Sequence, residues 1–302
     1  MFSAILIAGP TASGKSALGI ELARRFDGTV INADSMQVYG DLRILSARPD
    51  ENEEKQAPHA LFGTVDGAVN YSVGLWLADA TRVLAEVRSA GRVPIFVGGT
   101  GMYFKALTQG LSDIPAVPDE VRTQVRAEAE GVAVEELHAR LGAVDPVMAA
   151  KLRPSDPQRI LRALEIFAAT GKSLSVFQGA RSEPVLKASE CLNVFVAPER
   201  VALFERIDAR FDVMLETGAL DEVAKLAARG LDPALPVMRA HGVPHLARYL
   251  AGDLSLDEAR DLSQRDTRHY AKRQFTFARH QLPDFQWMPA KEVLDHAARI
   301  SL

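Results

Sequence analysis

Gly9, four further residues and then Gly14-Lys15-Ser16 have the spacing of a loop that wraps phosphate oxygens. Backbone N–H groups along such a loop point inward at the positive end of the helix that follows. Lys15 adds a point charge, and the Ser16 hydroxyl is the candidate ligand for Mg²⁺. Gly9, Pro10, Thr11, Ala12, Ser13, Gly14, Lys15 and Ser16 are therefore the candidate phosphate or diphosphate site. Asp34, after the apolar run VINA, and Thr100, after VGG, are the other candidates for chemistry. A nucleotide hydrolase usually carries a carboxylate at the end of a second apolar strand, where it supports Mg²⁺. Here the strongest such strand, PIFV, runs into glycines and Thr100, and Asp34 supplies the carboxylate from elsewhere. On residue type alone, Asp34 and Ser35 also suit a helix cap or turn, and VGGTGMY suits a tight strand-to-helix connection. A group-transfer enzyme on a diphosphate and a small-molecule kinase with a helical lid both remain open. A GTPase-like RNA-binding module would need a guanine-reading Asn/Thr-Lys-x-Asp segment, and the chain has no obvious one.

These residues need a scaffold that brings strand ends together. Over the first 110 residues, short apolar strands alternate with amphipathic helices, the pattern of a parallel sheet covered by helices. Strands are expected at Ala4–Ala8, Thr29–Ala33 and Val93–Val97, with helices from about Lys15 to Phe26 and Val73 to Ser89. Strand C-termini in open α/β sheets face the ligand crevice, so Asp34 and Thr100 should look toward the phosphate loop. Past Leu111 the strand signal fades and prolines punctuate helical patterns. LNVFVA (192–197) then reads as another buried strand, followed by helices to the C-terminus. The expected organisation is an α/β core from 1–111 and 191–302, interrupted by a helical insertion at 112–190.

The chain has 302 residues, a formal net charge of −4 and 47% apolar residues, an ordinary globular composition. One cysteine excludes an intramolecular disulfide framework and a cysteine-based zinc site. No stretch reaches the length of a membrane span, and no signal peptide is evident at the start, so a cytoplasmic protein with no membrane association is expected. Two basic surfaces stand out. DPQRILRALEIF (156–167) is a capped helix with Ile160, Leu161, Leu164 and Phe167 on one face and Gln158, Arg159 and Arg162 on the other. By itself the second face reads as solvated. The segment 259–280 holds six basic residues against Asp261 and Asp266. As a helix it would line up Arg265, Arg268, Lys272 and Arg279 over about 21 Å, enough to track several backbone phosphates. Tyr270 and Phe277, on another face, read as core.

GPTASGKS (9–16), NADSMQVY (32–39), VGGTGMYFKAL (97–107), DPQRILRALE (156–165), RAHG (239–242) and AKRQFTFAR (271–279) together resemble the tRNA dimethylallyltransferase family, over roughly residues 4–280. The chain departs from that pattern at Val243-Pro244-His245, where the family continues with Tyr and a basic residue, and at Phe277, where it commonly has Trp. The resemblance implies a P-loop NTPase-like parallel sheet covered by helices, with a helical insertion that clamps the anticodon stem-loop of tRNA. It implies transfer of a dimethylallyl group from dimethylallyl diphosphate to N6 of adenosine 37, beside the anticodon, with diphosphate leaving. Lys15, Asp34 and Thr100 become the expected catalytic residues and Mg²⁺ at Ser16 the expected metal. tRNA contact is implied for Asp34, Ser35, Met36, Gln37, Thr100, Arg122, Gln158, Arg159, Ile160, Leu161, Arg162 and Arg239. It is expected too for Arg268, Lys272, Arg273 and Arg279 on the basic helix. A monomer is expected.

Overall fold

The computed structural model describes residues 2–179 and 181–300. In chain order its first elements are β1 (Ala4–Ala8), α1 (Lys15–Arg25), β2 (Gly28–Asn32), α2 (Glu51–Glu54), β3 (His59–Ala60), α3 (Val73–Ser89), β4 (Val93–Gly98) and α4 (Gly101–Gln109). Helices follow: α5 (Asp119–Ala129), α6 (Val134–Val144), α7 (Pro146–Lys151), α8 (Pro157–Thr170) and α9 (Leu174–Phe177). The chain then returns through β5 (Cys191–Val196) to α10 (Arg200–Glu216), α11 (Ala219–Ala228), α12 (Val243–Leu250) and α13 (Leu256–Gln281). It closes with β6 (Gln286–Met288) and α14 (Ala290–Ile300).

Six strands form one sheet in the order β3-β2-β4-β1-β5-β6, and every pairing is parallel. Parallel strands buried on both faces read as continuous apolar runs, which is why β1 is AILIA with every residue buried. Side chains alternate between the two faces. Leu6, Ile31 and Phe96 join Trp76 of α3 and Phe104 of α4 on one side. Ile5, Ile7, Val30, Ile95 and Val97 meet Leu18 and Leu22 of α1 and Val293 of α14 on the other.

The expected strands are present with one-residue shifts: the second runs Gly28–Asn32 rather than Thr29–Ala33, and the strand after the insertion is Cys191–Val196. Two strands were not expected. β3 has two residues and β6 three, too few for a period to register, and β6 corrects the expectation of helices alone after LNVFVA. It pairs with β5 through Phe195 and Trp287.

The chain divides into two compact units, Met1–Thr108 with Val185–Leu302, and Gln109–Pro184. Residues 185–190, expected in the insertion, belong with the sheet unit, because Leu186 is buried in its core and its N–H donates to Leu107 O at 3.0 Å. The inserted unit has its own core, built from Leu137, Leu141, Met148, Ile160, Ala163 and Ile166. Ile160 is fully buried there, since α8 turns its apolar period inward. Its side chain is therefore closed to a partner, contrary to the expected contact with RNA.

Candidate active site

Because β4 lies between β1 and β2, the three connections leaving their C-terminal ends sit side by side. These are the phosphate loop after β1, the Asp34 turn after β2, and the Gly98–Thr100 turn after β4. Close approach of the backbones sets the last two against each other. A Cβ on Gly98 would lie 2.0 Å from the carbonyl carbon and oxygen of Ala33, so only glycine fits. Thr100 N–H donates to Ala33 O at 3.2 Å.

The phosphate loop reverses direction through left-handed backbone at Ala12 (φ 59°) and Gly14 (φ 88°). Lys15 opens α1 and is only 8% exposed, with Nζ donating to Pro10 O at 3.1 Å. Burial lowers its pKa from 10.5 to about 8; the nearby charge of Asp34 opposes that shift and Arg210 adds to it. The Ser13 hydroxyl is buried with no hydrogen-bond partner among the described residues. A buried orphan donor beside an ammonium is the arrangement an anion would complete. Not every expected amide is available, however. Thr11 N–H donates to Gln274 Oε1 at 3.1 Å, and Gln274 Nε2 donates to Gly99 O at 2.8 Å. Gln274 of α13 thus ties the loop to the end of β4 and takes Thr11 out of the phosphate cradle.

Asp34 is held by its neighbours. Its N–H donates to Asn32 Oδ1 (2.8 Å), and Asn32 Nδ2 donates to Asp34 O and Leu61 O, both at 3.0 Å. Trp76 Nε1 in turn donates to Asn32 O at 3.0 Å. Asp34 Oδ1 accepts from Met36 N–H at 3.0 Å, so the turn role and the chemical role coexist in one carboxylate. Thr100 Oγ1 accepts from Ser35 N–H at 2.9 Å and donates to Ser35 Oγ at 3.2 Å. Gln37 is buried, with Nε2 donating to Ser46 O and Ala47 O. Its Nε2 thereby braces the loop at 46–47.

Asp34 opens onto a cavity of about 70 Å³ that the phosphate loop reaches through Thr11 and Ala12. Three polar residues of its lining were missed from sequence: Arg210 of α10, His241 and Tyr270 of α13. Tyr270, expected in the core, borders this space instead, and burial raises its pKa. The His241 ring lies tilted against Tyr270, centroids 4.7 Å apart. Burial lowers the pKa of His241, with Arg273 acting in the same direction. Arg210 is an exposed residue that reaches the cavity wall, and the negative charges of Glu53 and Asp34 favour its charged form. Leu45, Phe211 and Met214 add apolar surface to the wall. Phe277, by contrast, stays in the core, packed where a Cβ on Gly101 would lie.

On α13 the expected stripe is uneven. Arg268 forms an ion pair with Asp208 of α10, a partner that the segment's own sequence does not reveal. Lys272, Arg273 and Arg279 are exposed, lying over the rings of Phe204, Tyr270 and Trp287. Arg239 is exposed as well. In the inserted unit Gln158 and Arg159 are exposed, Arg162 is half-exposed, and Leu161 is partly buried against the unit's core. Arg122 pairs with Asp119 at 2.6 Å.

The IPP transferase family profile matches residues 37–281, and the isopentenyl transferase profile matches residues 2–61. A tRNA dimethylallyltransferase from Beijerinckia indica is 66% identical over 96% of both chains. One from Rhodopseudomonas palustris is 58% identical over 96% of this chain and 90% of its own. Among solved structures, the tRNA isopentenylpyrophosphate transferase of Bacillus halodurans superposes with a TM-score of 0.70 at 33% identity, covering 98% of this chain and 95% of that one. A eukaryotic dimethylallyltransferase acting on tRNA gives 0.78 at 29% identity, covering 95% and 73%. With its phosphate loop and Asp34 leaving strands on either side of β4 in a parallel sheet, this chain belongs to the tRNA dimethylallyltransferase family.

Proposed function

We propose that the protein transfers the dimethylallyl group of dimethylallyl diphosphate to N6 of adenosine 37 in tRNA. The observation that carries this reading is the cavity itself, whose lining brings together Thr11 and Ala12 of the phosphate loop, Asp34, Arg210 and several apolar side chains. A diphosphate, a carboxylate and a hydrocarbon can be satisfied there together. The N6 lone pair forms the new bond to C1 of the allyl group as the C1–O bond breaks. That electron pair leaves on the diphosphate oxygen; Arg210 lines the cavity, and Lys15, which with Ser16 borders a separate smaller space, would neutralise the charge from the loop side. Asp34 orients the exocyclic N–H and accepts its proton. Thr100 fixes the turn that carries Ser35 and so holds the backbone beside Asp34.

Mg²⁺ would be held by the Ser16 hydroxyl and the diphosphate oxygens, where it supplies further neutralisation of the leaving group. The orphan Ser13 hydroxyl and the buried Lys15 ammonium fit such an anion. Among the described residues no cluster of three or more His, Cys, Asp or Glu offers a separate cation site. No helix among them is long and apolar enough to cross a membrane. The same reading has the protein act in the cytoplasm, as a monomer whose site draws on one chain.

Purified protein incubated with unmodified tRNA, Mg²⁺ and either dimethylallyl diphosphate or ATP tests this reading. Prenylated adenosine in the nucleoside digest is the expected product. Phosphate transfer from ATP to a small acceptor with no prenyl adduct would refute it. The exposed cations of α13 give a second test. Lys272→Glu with Arg279→Glu should weaken tRNA binding and lower the slope of log K against log salt by about two. Pyrophosphate affinity should not move. Arg268 is the wrong residue to reverse, since a glutamate there would face Asp208.

A further inference from the structure

The inserted unit contains a buried carboxylate that serves two cations. Glu165 on α8 is 3% exposed; its Oε1 accepts from Arg126 Nε of α5 at 2.9 Å, and its Oε2 lies 3.6 Å from an amino nitrogen of Arg162. One arginine would be enough to neutralise one buried carboxylate. Two are present, and both remain open to solvent, Arg126 at 43% and Arg162 at 41% of the side chain. Arg126 makes its contact through Nε alone, and neither terminal amino group has another partner among the described residues. Two other arginines of this unit commit both terminal nitrogens within the protein. Arg122 uses both terminal nitrogens, on Asp119 and Val117 O, and Arg140 uses both, on Glu128 O and Glu136.

We propose that Glu165 is a positioning residue that holds Arg126 and Arg162 side by side as a two-guanidinium site for backbone phosphates of RNA. The two oxygens of one planar carboxyl group fix the spacing of the two forks. Each fork keeps free N–H groups, which suit the bidentate geometry of a phosphodiester. The trio carries a net single positive charge. The cations face water while the carboxylate is buried behind them, so a phosphate meets the guanidinium groups first. Arg126 is thereby added to the RNA-contacting set. The proposal rests on the reading of tRNA as substrate, and it concerns only contacts within the inserted unit.

The sign of one substitution separates this proposal from plain surface electrostatics. Glu165→Gln removes a negative charge, so bulk electrostatics alone would tighten binding to a polyanion. If the carboxylate positions the arginines, binding weakens instead. tRNA affinity is measured across a salt series for wild type, Arg126→Gln and Glu165→Gln, with pyrophosphate binding and thermal melts as controls. Arg126→Gln is expected to lose on the order of five- to tenfold in tRNA affinity and about 0.7–0.9 of the log–log salt slope. Its pyrophosphate affinity should match wild type. Glu165→Gln is expected to lose tRNA affinity too. Arg126→Gln binding tRNA like wild type at every salt concentration, or a folded Glu165→Gln binding it more tightly, overturns the proposal. If Glu165→Gln melts below the assay temperature, Arg126→Gln, at an exposed side chain, decides alone. Failure of wild type itself to bind tRNA would instead sink the substrate reading.

Discussion

Asp34→Asn is expected to leave tRNA bound within a few-fold of wild type while single-turnover prenyl transfer falls by about two orders of magnitude or more. The exocyclic amine of adenine is a poor nucleophile because its lone pair is delocalised into the ring. Its proton becomes more acidic only as the new C–N bond forms. A carboxylate in hydrogen-bond reach raises electron density on nitrogen early and takes the proton late. Asparagine keeps the oxygen that accepts from Met36 N–H, so the turn should survive and the loss should report on charge and basicity. Asp34 also supports the ammonium of Lys15. The same variant should therefore lower the pH at which Lys15 loses its proton, read as an earlier alkaline decline in pyrophosphate binding. If Asp34→Asn prenylates bound tRNA at the wild-type single-turnover rate, the proposed mechanism is wrong.

Lys15→Ala should reduce turnover by about 10²–10³-fold, the size of losing one donor aimed at developing charge. Donor affinity should fall less, because the ammonium is needed more as the diphosphate departs than while it is bound. Unchanged turnover at saturating donor would rule out a direct role. The pH dependence carries its own sign. With its pKa lowered to about 8, free Lys15 is charged below that pH and neutral above it. Pyrophosphate affinity should accordingly decline as pH rises through about 8, and Lys15→Ala should abolish that decline. Folding responds in the opposite direction. The unfolded chain holds this proton up to about 10.5, so the penalty of burying the ammonium is full below about pH 8. It fades between about pH 8 and 10.5, and the contribution of this group to stability rises across that window.

Much of this was legible in the residues, and the reason is locality. β1 falls at Ala4–Ala8 as expected because a fully buried apolar run stops at Gly9. α3 starts at Val73 because the Ser72 hydroxyl accepts from Leu75 N–H. The loop, Asp34 and Thr100 were found because each follows its own strand. What could not be read depends on pairings between distant segments. Gln274 reaches Thr11 across 263 positions, and no local signal marks it beyond its place in the AKRQFTFAR motif. Tyr270 looks like a core aromatic by helical period, and only the docking of α13 turns it toward Asp34. Arg210 hides in an ordinary amphipathic helix. The Asp208 partner of Arg268 was missed for the same reason, because counting acids within one segment ignores the helix packed beside it.

The strand order has a consequence for how the molecule is made. β1 is among the first segments to leave the ribosome, yet it lies inside the sheet, between β4 and β5. Its second neighbour is not synthesised until residue 191. At typical elongation rates that interval lasts roughly 10–40 s. Throughout it, one side of the most apolar strand has no hydrogen-bonded partner, an open edge of the kind that recruits foreign strands. The inserted unit, with its own core, is completed during this wait and separates the growing edge from the strand that will cover it. Gln274 comes later still, and until it emerges neither Thr11 N–H nor Gly99 O has its partner. A nascent chain therefore carries the whole phosphate-loop sequence long before α13 arrives to tie that loop to the end of β4.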